Sequence, residues 1–72
     1  MDDYSKIVEL YTQCRKTKTD WRKGQALFNA ILMVRCDLAD EIRSNPKLDP
    51  YYNDERARDC ITWLAVQLFP AV

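Results

Sequence analysis

Apolar residues recur in this chain every three or four positions, and no segment alternates with period two long enough to form a strand. That spacing belongs to helices that each hide one face, so it predicts an all-α fold. The first segment runs from about Asp3 to Arg15, with Tyr4, Ile7, Val8, Tyr11 and Cys14 on one stripe and Lys6, Glu9 and Gln13 facing away. Asp2 and Asp3 suit the positive end of its dipole, and Arg15 and Lys16 the negative end. Lys16-Thr17-Lys18-Thr19 carries no apolar residue and reads as a loop.

A second helix is expected with Thr19 or Asp20 as its N-cap. Gly24, Leu27, Phe28, Ile31 and Val34 lie on its inner face, flanked by Trp21. Gly24 is the only glycine, and inside a helix it costs about 1 kcal/mol relative to alanine. The physical reason to accept that cost is close approach of a neighbour, expected here to be the first helix. A short third helix, residues 35–43, points Leu38 and Ile42 inward, bends away near Cys36 and stops at Asn45-Pro46. Asp49-Pro50 is an N-cap and N1 pair for a single turn, Asn53 caps the last helix, and Pro70 ends it. The expectation is one domain, residues 1–72: a compact bundle of three main helices plus one short helix.

The last helix stands apart. Eight of the ten residues from Cys60 to Phe69 are hydrophobic, and no charge interrupts them. On the helical wheel Ala57, Ile61, Leu64 and Leu68 share one side with Ala65 nearby, whereas Trp63 and Val66 fall opposite, beside Arg56 and Asp59. A helix apolar all round is either wrapped by its own fold or holding a partner. A domain of this size buries only about 60% of its unfolded surface, which makes complete wrapping hard. Trp63, Val66, Arg56 and Asp59 are therefore the expected protein interface, against the alternative that the first helix or the N-terminus covers Trp63.

Composition excludes several functions. Eleven basic and eleven acidic residues cancel, whereas a dedicated DNA-binding domain usually carries a basic excess. Charge is segregated: Arg15, Lys16, Lys18, Arg22 and Lys23 against Asp20 make residues 15–23 locally +4, and residues 37–55 are locally −4. Two solvated loop regions account for this. The basic segment with Trp21 is also a weak nucleic-acid pattern, but the short third helix offers Asp37, Asp40 and Glu41, which phosphates repel. There is no histidine, so a cysteine or serine nucleophile lacks a conventional base. Cys14, Cys36 and Cys60 follow no zinc spacing. They are expected to be reduced, inert thiols, and no enzyme, metal or cofactor is expected. The Met-Asp-Asp-Tyr start has no basic or apolar leader region, and the apolar run is half the roughly 20 residues a bilayer crossing needs. A cytoplasmic location follows as an expectation.

Two polar groupings have structural and functional readings. Arg22, Gln25 and Asn29 form an outer stripe at i, i+3 and i+7. They could bind a carboxylate, phosphate or base edge, or fasten the Asp49–Asn53 loop to the second helix by satisfying its carbonyls. Tyr51 and Tyr52 could stack on a partner, or one could join the core with its hydroxyl at the rim.

The residues Arg22-x-Gly24-Gln25-x-x-x-Asn29-x-Ile31-x-x-Val34-Arg35-x-Asp37-Leu38-Ala39-x-x-Ile42, with Asp49-Pro50-Tyr51-Tyr52-x-Asp54-x-Arg56, resemble a family of small proteins encoded by tailed bacteriophages and some bacterial genomes. The resemblance covers residues 20–64 and implies a viral origin; the family has no assigned activity. Its more usual residue at the position of Cys36 is proline, which implies a helix start there. The expected function is thus a phage-type interaction protein that forms a homodimer or binds a host protein through the outer face of its last helix, by occlusion or adaptation. The alternative is a nucleic-acid-associated accessory factor using residues 15–23.

Overall fold

The Asp2 carboxylate accepts the Ser5 N–H at 2.7 Å and caps the first helix, satisfying one of the donors every helix start leaves free. That bond holds the Asp2 carboxyl below the usual carboxylate value. In the computed structural model, which describes residues 2–69, the helices are α1 (Asp3–Thr17), α2 (Lys23–Val34), α3 (Cys36–Arg43) and α4 (Arg56–Leu68). There is no strand among the described residues. The chain is an all-α bundle of three longer helices and one short one.

α2 is the helix on which the other three pack. The molecule measures 39 × 29 × 18 Å, and a helix with side chains is about 10–12 Å across. The thin dimension therefore has no room for full cover on every helix, and the most apolar one takes the centre. Gly24, Ala26, Leu27, Phe28, Ala30 and Ile31 are all buried on α2. Ala26 and Ala30, one turn apart, add a second buried row beside the expected stripe and let neighbouring backbones approach closely. Ile7 of α1, Leu38, Ala39 and Ile42 of α3, and Ala57, Cys60 and Leu64 of α4 complete the core. On α1 the stripe is turned slightly from expectation: Leu10 packs on the core and Val8 is exposed.

Arg35 makes the break between α2 and α3. Its backbone leaves the helical region (φ −137°, ψ 82°), while its N–H closes α2 on the Ile31 carbonyl and its own carbonyl accepts from Leu38 and Ala39 to open α3. Its guanidinium is bidentate to Asp37, at 3.0 and 2.9 Å, and also donates to Asp3 at 3.0 Å. It thereby ties the start of α1 to the start of α3 and holds the Asp37 carboxyl below its usual value. α3 begins at Cys36, where the resemblance placed a helix start.

The connection from α3 to α4 is built from three Asx turns spaced four residues apart. The side-chain oxygens of Asn45, Asp49 and Asn53 accept the N–H groups of Lys47, Tyr51 and Glu55 at 3.1, 3.0 and 3.0 Å. Proline follows the first two, where no N–H is needed. Asn53 is not the N-cap of α4 as expected: Glu55 holds that position without a side-chain capping bond, and Asn53 organises the approach one turn earlier, its carbonyl accepting the Arg56 N–H. Pro70, the expected stop for this helix, lies outside the described residues.

Two expectations about α2 need correction. Neither Thr19 nor Asp20 caps it; Arg22 is the N-cap residue and makes no capping bond with its side chain. Asp54 does the work from 30 residues away, accepting the Gly24 N–H at 3.0 Å, with its negative charge at the positive end of the dipole. Nor is α1 the neighbour that Gly24 accommodates. A β-carbon built on Gly24 would lie 1.8 Å from the Pro50 carbonyl oxygen.

Candidate functional site

The buried Pro50 and the Asp54 cap pin the Asx-turn connection against the first turns of α2. The polar stripe of α2 completes that attachment. Arg22 Nη2 donates to the Tyr51 carbonyl at 3.1 Å, and Gln25 Nε2 reaches the Tyr51 hydroxyl at 3.5 Å, the outer limit of a hydrogen bond. Arg22 and Gln25 are therefore occupied in fastening the loop. Asn29 has no side-chain hydrogen bond among the described residues; it faces a cleft instead.

That cleft, of about 350 Å³, lies between α2, the end of α3 and the loop, and is lined by Phe28, Asn29, Leu32, Arg43, Asp49, Tyr51 and Tyr52. Its wall is a chain of aromatic edges. The Tyr51 ring meets Phe28 at 5.7 Å between centroids and Tyr52 at 4.7 Å, both edge-on, the arrangement that the ring quadrupole favours. Tyr51 is the half-buried member of the tyrosine pair and packs on the core, whereas Tyr52 is 79% exposed at the rim. Arg43 lies over the Phe28 ring at 5.5 Å, and its nearest carboxylate is Asp40 at 3.9 Å. Asp49 makes no ion pair among the described residues. The cleft thus offers aromatic faces, one free amide and a charge of each sign. Leu32, exposed on α2, adds an apolar side chain to its lining. Asn29, Tyr51 and Tyr52 were legible in the sequence as candidates; Leu32, Arg43 and Asp49 were not, because only the packing of the end of α3 and the loop against α2 makes a cleft at Leu32 and brings Arg43 and Asp49 to it.

The outer face of α4 differs from expectation at its centre. Trp63 is half-buried and packs on the core, and Arg56 is half-buried too; Val66, at 61% exposure, and Asp59 remain open. The cause is a rotation of the buried stripe. Cys60, not Ile61, is the fully buried member at that level, which turns the stripe about 40° toward Trp63 at 100° per residue.

In the basic segment Arg15, Lys16, Lys18, Arg22 and Lys23 are all exposed, with Lys18 over the Trp21 ring at 5.7 Å. Cys14 and Cys60 are buried, and burial pushes the Cys60 thiol up to about 12. Cys36, against the expectation for all three thiols, is exposed at the first position of α3. Among the described residues no three His, Cys, Asp or Glu side chains group as metal ligands, and no helix is long and apolar enough to cross a membrane. No family model, no curated protein and no solved structure matches the chain.

Proposed function

We propose that this is a small phage-type interaction protein that works by binding another protein chain through the Tyr52 cleft. The observation that carries the reading is Tyr52: a large aromatic side chain exposed at the mouth of a cleft and steadied by the Tyr51 ring. Ordering a loose side chain on binding costs roughly 0.5–1.5 kcal/mol. A ring already held in place, on a loop fastened by Arg22, Gln25 and Asp54, loses less. Aromatic and arginine side chains are also the usual anchors of protein interfaces, and Arg43 stands in the same cleft. The α4 face, with Trp63 turned into the fold, offers Val66 alone as a large exposed apolar group among the expected interface residues. The resemblance of residues 20–64 to phage-encoded proteins supports the viral setting, in which a partner is occluded or adapted in the host cell.

The test compares capture of proteins from a bacterial lysate by parent and variants. Tyr52→Ala and Leu32→Ser should each lose the protein the parent retains, and Val66→Ser should keep it. Retention unchanged by Tyr52→Ala removes the cleft from consideration. A nucleic-acid accessory role is the second reading, supported by the exposure of the five basic side chains of residues 15–23 and the Lys18 ammonium over the half-buried Trp21 ring. It requires retention on heparin that salt abolishes and that Lys16→Glu with Lys18→Glu removes.

A further inference from the structure

Resting on that reading of the cleft, we infer that its occupant is a second copy of this chain, docked about a twofold axis with Tyr52 of each copy seated against the cleft of the other. A twofold interface places one surface against itself, so any patch that fills it must be complementary to itself. This cleft meets that condition in charge as well as in apolarity. Arg43 and Asp49 line it together without pairing with each other: among the described residues Arg43 has only a long, exposed 3.9 Å pair with Asp40 of its own helix, and Asp49 has no ion pair. A partner that satisfies both must present an anion and a cation within the same small footprint, and another copy does so by construction: Arg43 of each against Asp49 of the other. Tyr52 and Leu32 are at once the exposed apolar groups of the patch and the cover for their counterparts. The chain's formal net charge of zero leaves no overall repulsion to oppose the approach of two copies, and proteins near zero net charge associate readily. An acidic or basic partner would leave one of the two cleft charges facing its own sign.

Sedimentation velocity across a micromolar to millimolar series tests this. The parent should pass from monomer to dimer, with no larger species. Tyr52→Ala and Arg43→Glu should each raise the midpoint concentration at least about tenfold, a change worth about 1.4 kcal/mol. Asp49→Asn keeps the side-chain oxygen that the Tyr51 N–H needs while removing the charge, and should raise the midpoint by less. Far-UV circular dichroism of each variant confirms that helicity is retained. A parent that is monomeric throughout overturns the second-copy assignment, as does a dimer indifferent to Tyr52→Ala and Arg43→Glu. If the parent is monomeric yet Tyr52→Ala still loses a captured lysate protein, the cleft reading stands and only its occupant changes. If capture is also unaffected, both fall.

Discussion

Replacing Gly24 with alanine puts a methyl group where the fold has left no volume. The new β-carbon would sit 1.8 Å from the Pro50 carbonyl oxygen, 2.7 Å from its carbon and 3.2 Å from Asp54 Oδ1. Non-bonded carbon atoms are ordinarily about 3.5–4.0 Å apart, so a backbone segment must retreat by more than an ångström. Pro50 is fully buried, and its carbonyl accepts the Asn53 N–H at 3.1 Å. Movement there also strains the Gly24–Asp54 and Arg22–Tyr51 bonds. Alanine gains at most about 1 kcal/mol in helix propensity. Overpacking costs about 1–3 kcal/mol, and each hydrogen bond lost about 1 kcal/mol more. The balance is a net loss of roughly 1–4 kcal/mol, against a total stability of about 4–11 kcal/mol for a domain of this length. At roughly 4–8 °C per kcal/mol, Tm should drop by at least about 4 °C. Thermal and urea unfolding followed by far-UV circular dichroism measure it, with exposed Lys23→Ala as the neutral control. A Gly24→Ala protein that melts at or above the parent refutes the reasoning, because it would mean Pro50 does not press on Gly24.

Asp54→Ala should cost about 0.5–2 kcal/mol, the worth of a helix cap, and hydrogen exchange at the first turn of α2 should quicken with it; unchanged exchange there would assign the cap elsewhere. Native thiol titration should find one fast cysteine, Cys36, with Cys14 and Cys60 reacting only on unfolding. Because burial pushes the folded Cys60 thiol up to about 12 from its ordinary 9.0, its contribution is complete below pH 9 and is lost as pH rises from there. Tm should therefore fall between pH 9 and 12, less steeply in Cys60→Ala; equal slopes would exclude the thiol as a cause. Trp63→Ala should lower stability by about 2 kcal/mol, below the 3–5 kcal/mol of a fully buried ring, whereas Val66→Ser should leave Tm nearly unchanged.

The helices were legible because they rest on a local rule, the hydrophobic period, and the expected bend near Cys36 falls one residue earlier, at Arg35. The reading of Arg22 and Gln25 as a fastener for the loop was available because the loop's carbonyls need donors. The start of α2 was not legible. Thr19 and Asp20 are better N-caps than Arg22, but the supplier of the cap is Asp54, which no local rule connects to Gly24. Gly24 announced a close approach without naming Pro50 for a similar reason. Trp63 shows the limit of the helical wheel, which infers the buried direction from apolar residues alone. With cysteine buried at position 60, a 40° error sufficed to put a half-buried ring outside. The four-residue spacing of Asn45, Asp49 and Asn53 was present in the chain throughout; its meaning as successive Asx turns emerged only with the backbone.

The long reach of the Asp54 cap has a consequence for the order in which the chain acquires structure. α2 is the centre of the bundle, yet its first turn is completed by residues that leave the ribosome some 30 positions later. During synthesis α1 and α2 can pair, but the start of α2 stays frayed until Pro50 and Asp54 arrive. Because the closing contact spans so much of a short sequence, its loop-closure entropy falls due late. A nascent chain stopped before Pro50 should accordingly show helix content without a protected α2 start.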